Sequence, residues 1–435
     1  MVLPTTASAI SAGTPSDHVS WHNEIDTLLP HLQLPTVSTA TASGHVAHHE
    51  AIHAWVGGSL PEDLTAGDPG HLSHHLPIHQ YLTPVSGTLT INSGGTYSGS
   101  YSSSVNGTPA VTINTTSPVT LDNMLVRHTG QGVVAGVSGV QLTVTNCVFE
   151  RRNPSATLTG QQGRAILLTN LASLIVEHSH FANGNGIWIG TSGTVTGRVR
   201  YNRCWNVGHY GLSDCCIQFF QADGSSGMTL GGFEIGWNHT TNYHGQSQIE
   251  DNINLYQVSG ASGNPIDVHH NLIDGAYATS SNGDGYTGGG ILCGDEGGSW
   301  VTIRDNWVIG TSNYGVSITG GSNNTLDGNT VVSDSLTQDG TTLHSPTFGT
   351  GAVAWDASSA GNMTNITVTD NTSGWLRRTG VGSATERSDM WFPEADVDTG
   401  NTSMSGTIDA ADEQAARDAW EAARVVAGVT VGRTV

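Results

Sequence analysis

Four histidines fall within thirteen residues in GHVAHHEAIHAWV, residues 44–56. Imidazole nitrogen ligates transition metals, so a run this dense raises a metal site first. The run is one of three copies. DHVSWHNEIDTLLP (17–30) precedes it and GHLSHHLPIHQYL (70–82) follows, with the shared pattern H-[VL]-[AS]-[WH]-H-x-x-I starting at His18, His45 and His71. Repetition makes this one unit used three times. Each copy reads as a short helix with one seam: His18, Trp21, Ile25 and Leu28; His45, His48, Ile52 and Trp55; His71, His74, Ile78 and Tyr81. Asp17 is placed to cap the first, Pro30 to stop it, and Pro77 to interrupt the third. Isolated helices shorter than roughly 12–15 residues are marginal, so these need partners, and further copies of the chain around a symmetry axis supply them. A homotrimer is the expected assembly. On its axis His45, His48, His71 and His74 would each appear three times and would be the ligands of a metal ion held there. No carboxylate or cysteine accompanies them at fixed spacing, so packing is their expected role and no cofactor is expected.

A second set of reactive side chains lies further on: His209, Tyr210, Tyr243, His244, Gln246, Glu250, Asp251, Tyr277, Asp284 and Tyr286. Rings beside amides and carboxylates suit a sugar, because rings cover its apolar faces while polar groups bond its hydroxyls. Tyr210, Tyr243, His244, Tyr277 and Tyr286 are the expected glycan or receptor contacts. Cleavage of that glycan would need two carboxyls about 5–9.5 Å apart, and Glu250, Asp251 and Asp284 are the candidates. A lyase would need a base, for which Arg304 is the nearest basic residue. Asp295 and Glu296, in GDEGG, are expected to shape a turn. Binding and cleavage both stay open on these residues, with binding preferred.

The elements that position this set repeat as well. From about residue 84 short Val/Ile/Thr-rich pieces alternate with Gly/Asn/Ser turns, and they align on h-x-h-x-x-[small polar]-x-h, best seen in VTIRDNWV (301–308). The sixth position reads Met124, Cys147, Ser179, Cys204, Asn238, Asn271, Asn306, Asn329 and Asn371, never fewer than 23 residues apart. That is the rung length of a parallel β-helix, in which like residues stack from coil to coil. Asparagine suits such a stack because it tolerates unusual backbone angles and bonds along it. A second strand recurs as GIWIG (186–190), CIQFF (216–220), INLYQ (253–257), GILCG (290–294), GVSIT (315–319) and AVAWD (352–356). The connection into it varies most in length, and long excursions at one corner of a solenoid stack into a single face. The second set of reactive side chains falls there.

Composition narrows the partners. The 435-residue chain carries a formal charge of -22, and its 14 basic residues are all arginine. Nucleic acid and anionic membrane both require a basic footprint, so neither is expected. MVLPTTASAI has no basic start and no stretch reaches about 18 apolar residues, so neither a signal peptide nor a membrane span is expected. Five cysteines without framework spacing argue against a disulfide scaffold, and burial is their expected state.

With SDHVSWHNEI and GHVAHHEAIH ahead of the asparagine ladder, the chain resembles minor tail proteins of long-tailed phages that infect actinobacteria, whose body is a pectate-lyase-like right-handed parallel β-helix. The resemblance implies a virion (phage tail) protein, usually trimeric, with other tail proteins as partners and the β-helix turned outward. The expected fold is all-β: helical repeats over 1–82, a right-handed parallel β-helix over 83–400, and a C-terminal helix and tail over 401–435. In that last part IDAADEQAARDAWEAARVVA (408–427) has Thr407 or Asp409 as cap, Gly428 as stop and an Ala416, Trp420, Ala423, Ala427 stripe. It is expected to cover the open end of the β-helix or to join protomers, the end cap being preferred.

Overall fold

The computed structural model describes residues 87–434, apart from 153–162, 209–216, 278–286, 338–339, 341–342, 344–348, 360 and 379–384. The three histidine-rich repeats, with His45, His48, His71 and His74, therefore lie outside the described residues. Residues 87–433 form one compact unit.

Short strands alternate apolar and polar residues, which buries one face of each. Val301–Arg304 buries Val301 and Ile303 and leaves Thr302 and Arg304 half-buried. Strands of successive coils pair in parallel, so the buried residues stack: Val144 on Val176, Val199, Ile235, Val268, Ile303, Leu326 and Val368. Each fully buried aliphatic side chain contributes about 1.5–3 kcal/mol, so this file alone is a major part of the core. The coil has three faces. Strands such as Ile266–His269 and Val301–Arg304 build the first, and Leu272–Ala276 and Trp307–Thr311 the second. The third is an eleven-stranded parallel sheet running from Leu89–Ile91 to Met390–Trp391.

The turn between the first and second faces holds the polar ladder. Asn238, Asn271, Asn306, Asn329 and Asn371 are buried. In each, the side-chain oxygen accepts both the backbone and side-chain N–H of the asparagine in the coil before, at 2.9–3.0 Å for Asn238 to Asn271. The expected Cys204 is not a rung. Asn202 is: its backbone N–H and Nδ2 donate to Asn238 Oδ1 at 3.1 and 2.9 Å, and its own Oδ1 accepts from the Ser179 N–H. Arg-Val-Arg (198–200) is the true match to Thr-Ile-Arg (302–304), two residues earlier than the aligned VRYNRC, and Cys204 instead stacks between Phe181 and Thr240. Asn401 extends the ladder one coil further.

The unusual backbone angles fall on the residue before each rung, not on the rung itself. Asn123, Asn146, His178, Tyr201, Trp237, His270, Asp305 and Asp370 all have φ between 50° and 62°. They form a row along the outside of the solenoid.

The C-terminal helix spans Ala410–Val426, capped by Asp409 with Asp412 completing a capping box. It does not close the end of the β-helix. It lies along the flank, where Ala416 and Trp420 join Trp237, Leu272, Ile309 and Val332 in a separate apolar cluster. The stripe was wide enough to cover a side wall, and the wall's outward residues here are large and apolar. At the last coil Val397–Thr399 and Thr402–Ser403 stay exposed.

Candidate functional site

The second face passes into the third at one corner, and among the described residues the long excursion there is 242–250, between His239–Thr241 and Asp251–Tyr256. It is pinned to its neighbours. Tyr243 N–H donates to Asn206 Oδ1 at 2.9 Å, Asn206 Nδ2 to Gln246 Oε1 at 3.0 Å, Ser247 Oγ to Val207 O at 2.7 Å and Asn242 Nδ2 to Gly275 O at 2.8 Å. An excursion held by this many bonds is a fixed platform. It presents Tyr243 and His244 half-exposed. Tyr277 stands edge-on to His244, with ring centroids 5.8 Å apart, but only 2% of it is exposed. Burial makes it a support for His244 and not a surface contact. Tyr210, Asp284 and Tyr286 lie outside the described residues.

Beneath this corner runs a file of buried residues at the entry to strands of the third face, polar apart from one glycine. In register it reads Arg164, Asn185, then Gln218, Asp251, Gly289, Tyr314 and Thr350. Arg164 donates to Gln218 Oε1 at 2.8 Å and Gln221 Oε1 at 2.9 Å. Gln218 Nε2 donates to Glu250 Oε2 at 2.8 Å. Tyr314 OH donates to Asp251 Oδ1, and Asn254 Nδ2 to Asp251 Oδ2 at 2.8 Å. Gly289 makes the Asp251–Tyr314 contact possible. A Cβ there would sit 2.4 Å from Asp251 Oδ1 and 2.5 Å from Tyr314 Cζ.

Two of the three expected carboxylates are thus neighbours in different surroundings. Asp251 is 2% exposed, and burial, reinforced by the charge of Glu250, pushes its carboxyl well above the usual range. Glu250 is half-buried. Such inequivalence is what an acid–base pair needs. Asp295 is pushed up by burial too, while Glu296, at φ 54°, accepts Tyr256 OH at 2.6 Å and Gln257 Nε2 at 2.9 Å, which is turn-shaping chemistry.

Arg304 is elsewhere. It points out from the first face, doubly bonded to Asp267 at 3.0 and 2.8 Å, and those bonds hold its guanidinium above its ordinary range. It is no base for this corner. Through Asp267 and His269 it adjoins a row of surface ion pairs formed by Glu177, Arg198, Arg200 and Glu234. Each exposed pair contributes little to stability.

The outer surface of the third face adds residues that the sequence reading missed. Trp391, 46% exposed, stands in register beside Val353, and its ring centroid is 5.4 Å from that of Trp355. Exposed tryptophan on a rigid strand is a ready stacking surface for a sugar ring. Cys147, Cys204 and Cys293 are free and buried, and burial raises their thiols above the ordinary value, Cys147 to about 12, so they are poor nucleophiles. Among the described residues no group of three or more His, Cys, Asp or Glu is placed to hold a metal ion. No helix among them is long and apolar enough to cross a membrane.

Stacked parallel coils with an internal asparagine ladder and an elaborated corner define a parallel β-helix protein. Residues 109–331, just over half of the chain, match the model for the right handed beta helix region, and the chain belongs to that family. No curated protein and no solved structure matches it.

Proposed function

We propose that this protein is a trimeric phage tail component that contacts a host cell-surface glycan through the long-connection corner and the adjoining outer surface of the third face. The observation that carries the reading is the fixed, half-exposed pair Tyr243 and His244 above a buried polar file, with Trp355 and Trp391 on the same third-face side. Aromatic surface for stacking and amides for hydroxyls are the two things a glycan site requires. The place in the virion rests on the resemblance of the N-terminal repeats. The test is co-sedimentation of the full-length protein with purified actinobacterial cell walls. Tyr243→Ala with His244→Ala is expected to weaken retention at least about tenfold, roughly 1.4 kcal/mol, while Arg304→Ala on the first face leaves it unchanged. Equal loss in both variants, or retention by neither wild type nor variant, would refute the assignment of the corner.

A second reading, cleavage of the bound glycan, is favoured by the unequal surroundings of Glu250 and Asp251. It predicts new reducing ends when the protein is incubated with the wall polysaccharide, and their loss in Glu250→Gln. Their absence with wild type leaves binding alone.

A further inference from the structure

The segment after the last coil returns along the outside of the solenoid and touches the left-handed residues of one coil after another. Trp420 Nε1 donates to His270 O at 2.8 Å, and the Gly432 N–H donates to Tyr201 O at 2.7 Å. His178 Nδ1 lies 3.3 Å from Gly432 O. Arg433 donates from Nε to Asn146 O at 2.9 Å and from its guanidinium to Asn123 Oδ1 at 2.6 Å. Gly432 and Arg433 are thus stitched to coils between 231 and 310 residues earlier in the chain.

Two histidines in this seam have their protonation fixed by their partners. His180 Nε2 lies 3.1 Å from the Arg433 backbone N–H, which can only donate, so Nε2 must carry a lone pair. His239 Nδ1 lies 2.7 Å from Arg203 NH1, which also only donates, so that nitrogen too must be unprotonated, and its Nε2 faces Thr241 Oγ1 at 3.0 Å. His239 also stands edge-on to Trp420 of the helix. An imidazolium has no lone pair, so protonation breaks both bonds and sets a positive charge against arginine.

We infer that the C-terminal tail, residues 429–433, is a latch that is shut while His180 is neutral and released when it is protonated.

The histidines beside the helix are held neutral by their surroundings. Burial, then Arg203, Arg424 and Arg417, hold His239 well below its ordinary value, and burial, then His269, lowers His270. The carboxylates nearby are engaged: Arg417 with Asp274 and Glu413, Arg424 with Glu421. Because the docked tail needs a lone pair on His180 Nε2, it is held above the ordinary histidine value of about 6.5 and loses stability as pH falls below it. Glu413 opposes this. Buried beside Asp334, it is pushed up to about 7, so its cost is present above that pH and is relieved below it. Glu413 sits in the first turn of the helix and accepts the Asp334 N–H, whereas His180 holds the tail. Acid therefore opens the tail while the helix stays docked.

Amide hydrogen exchange of the full-length protein at pH 7.5 and pH 5.0, corrected for intrinsic rates, reads this directly. Protection at Gly432 and Arg433 is expected to fall at least about tenfold at pH 5.0, with Ala416–Trp420 unchanged. His180→Gln, whose side-chain oxygen accepts at any pH, is expected to reduce that fall. Equal protection at both pH values in the wild type overturns the latch, and so does simultaneous loss over the helix and tail. If the variant does not fold, the wild-type pair of measurements decides alone.

Discussion

Asn306→Leu is expected to destabilise the body by at least about 3 kcal/mol, seen as a lower denaturant midpoint or faster unfolding. Asn306 Nδ2 donates to Val268 O, Arg304 O and Asn329 Oδ1, at 2.9, 3.0 and 2.9 Å. Its Oδ1 accepts the Asn271 backbone N–H at 3.0 Å and Asn271 Nδ2 at 2.9 Å. Leucine strands the Asn271 backbone N–H and leaves its Nδ2 with Ile235 O alone, in a site with almost no exposure, and each orphaned buried group costs about 1–3 kcal/mol. Asn271→Leu should behave alike, by stranding the Asn238 backbone N–H. Thr302→Ala, one strand earlier on the outer side, should stay within about 0.5 kcal/mol. Unchanged stability in both asparagine variants would mean that the ladder is not what fixes the coils.

Removal of residues 1–82 is expected to abolish association while the β-helix stays folded. Sedimentation of the full chain should give three protomers and the truncated chain one. The reason is energetic: helices as short as the sequence predicts for these repeats, with His/Ile/aromatic seams, would gain stability only by packing on copies of themselves. A truncated chain that still sediments as a trimer would move the interface to the β-helix and remove the assembly role of the repeats. Elemental analysis of the trimer should find less than about one transition-metal ion, in keeping with packed histidines at positions 45, 48, 71 and 74.

The sequence made the coils legible because a rung repeats its chemistry: Asn271, Asn306 and Asn371 follow the same h-x-h-x-x pattern, Asn329 departs from it only at Asn324, and all four stack. It failed at Asn202, where Tyr201 at the third place of the aligned segment looked like an inward residue. Tyr201 in fact takes the left-handed turn, and its ring stacks outside on His178 at 5.0 Å. The flank position of the helix had a signal that went unused. The residues before the rungs include four rings, His178, Tyr201, Trp237 and His270, and the C-terminal helix and tail lie against each of them. Large rings at a turn that disfavours them need a partner on the outside. The site was half legible. Long connections marked the corner, but burial separates Tyr243 and His244 from Tyr277 and Asp251, and burial depends on neighbouring coils. The polar file was readable in retrospect: Arg164, Gln218, Asp251 and Tyr314 each stand two residues ahead of an inward Ile166, Phe220, Ile253 or Val316.

The claim that the third face and its corner meet the glycan is tested most directly by hydroxyl-radical footprinting of the full-length protein, with and without soluble cell-wall polysaccharide. Oxidation of Tyr243, His244, Trp355 and Trp391 should drop when the glycan is present, while Tyr201 and Trp307, on the flank that carries the C-terminal helix and tail, should oxidise as before. Protection of Tyr201 and Trp307 with none at the corner would contradict the account.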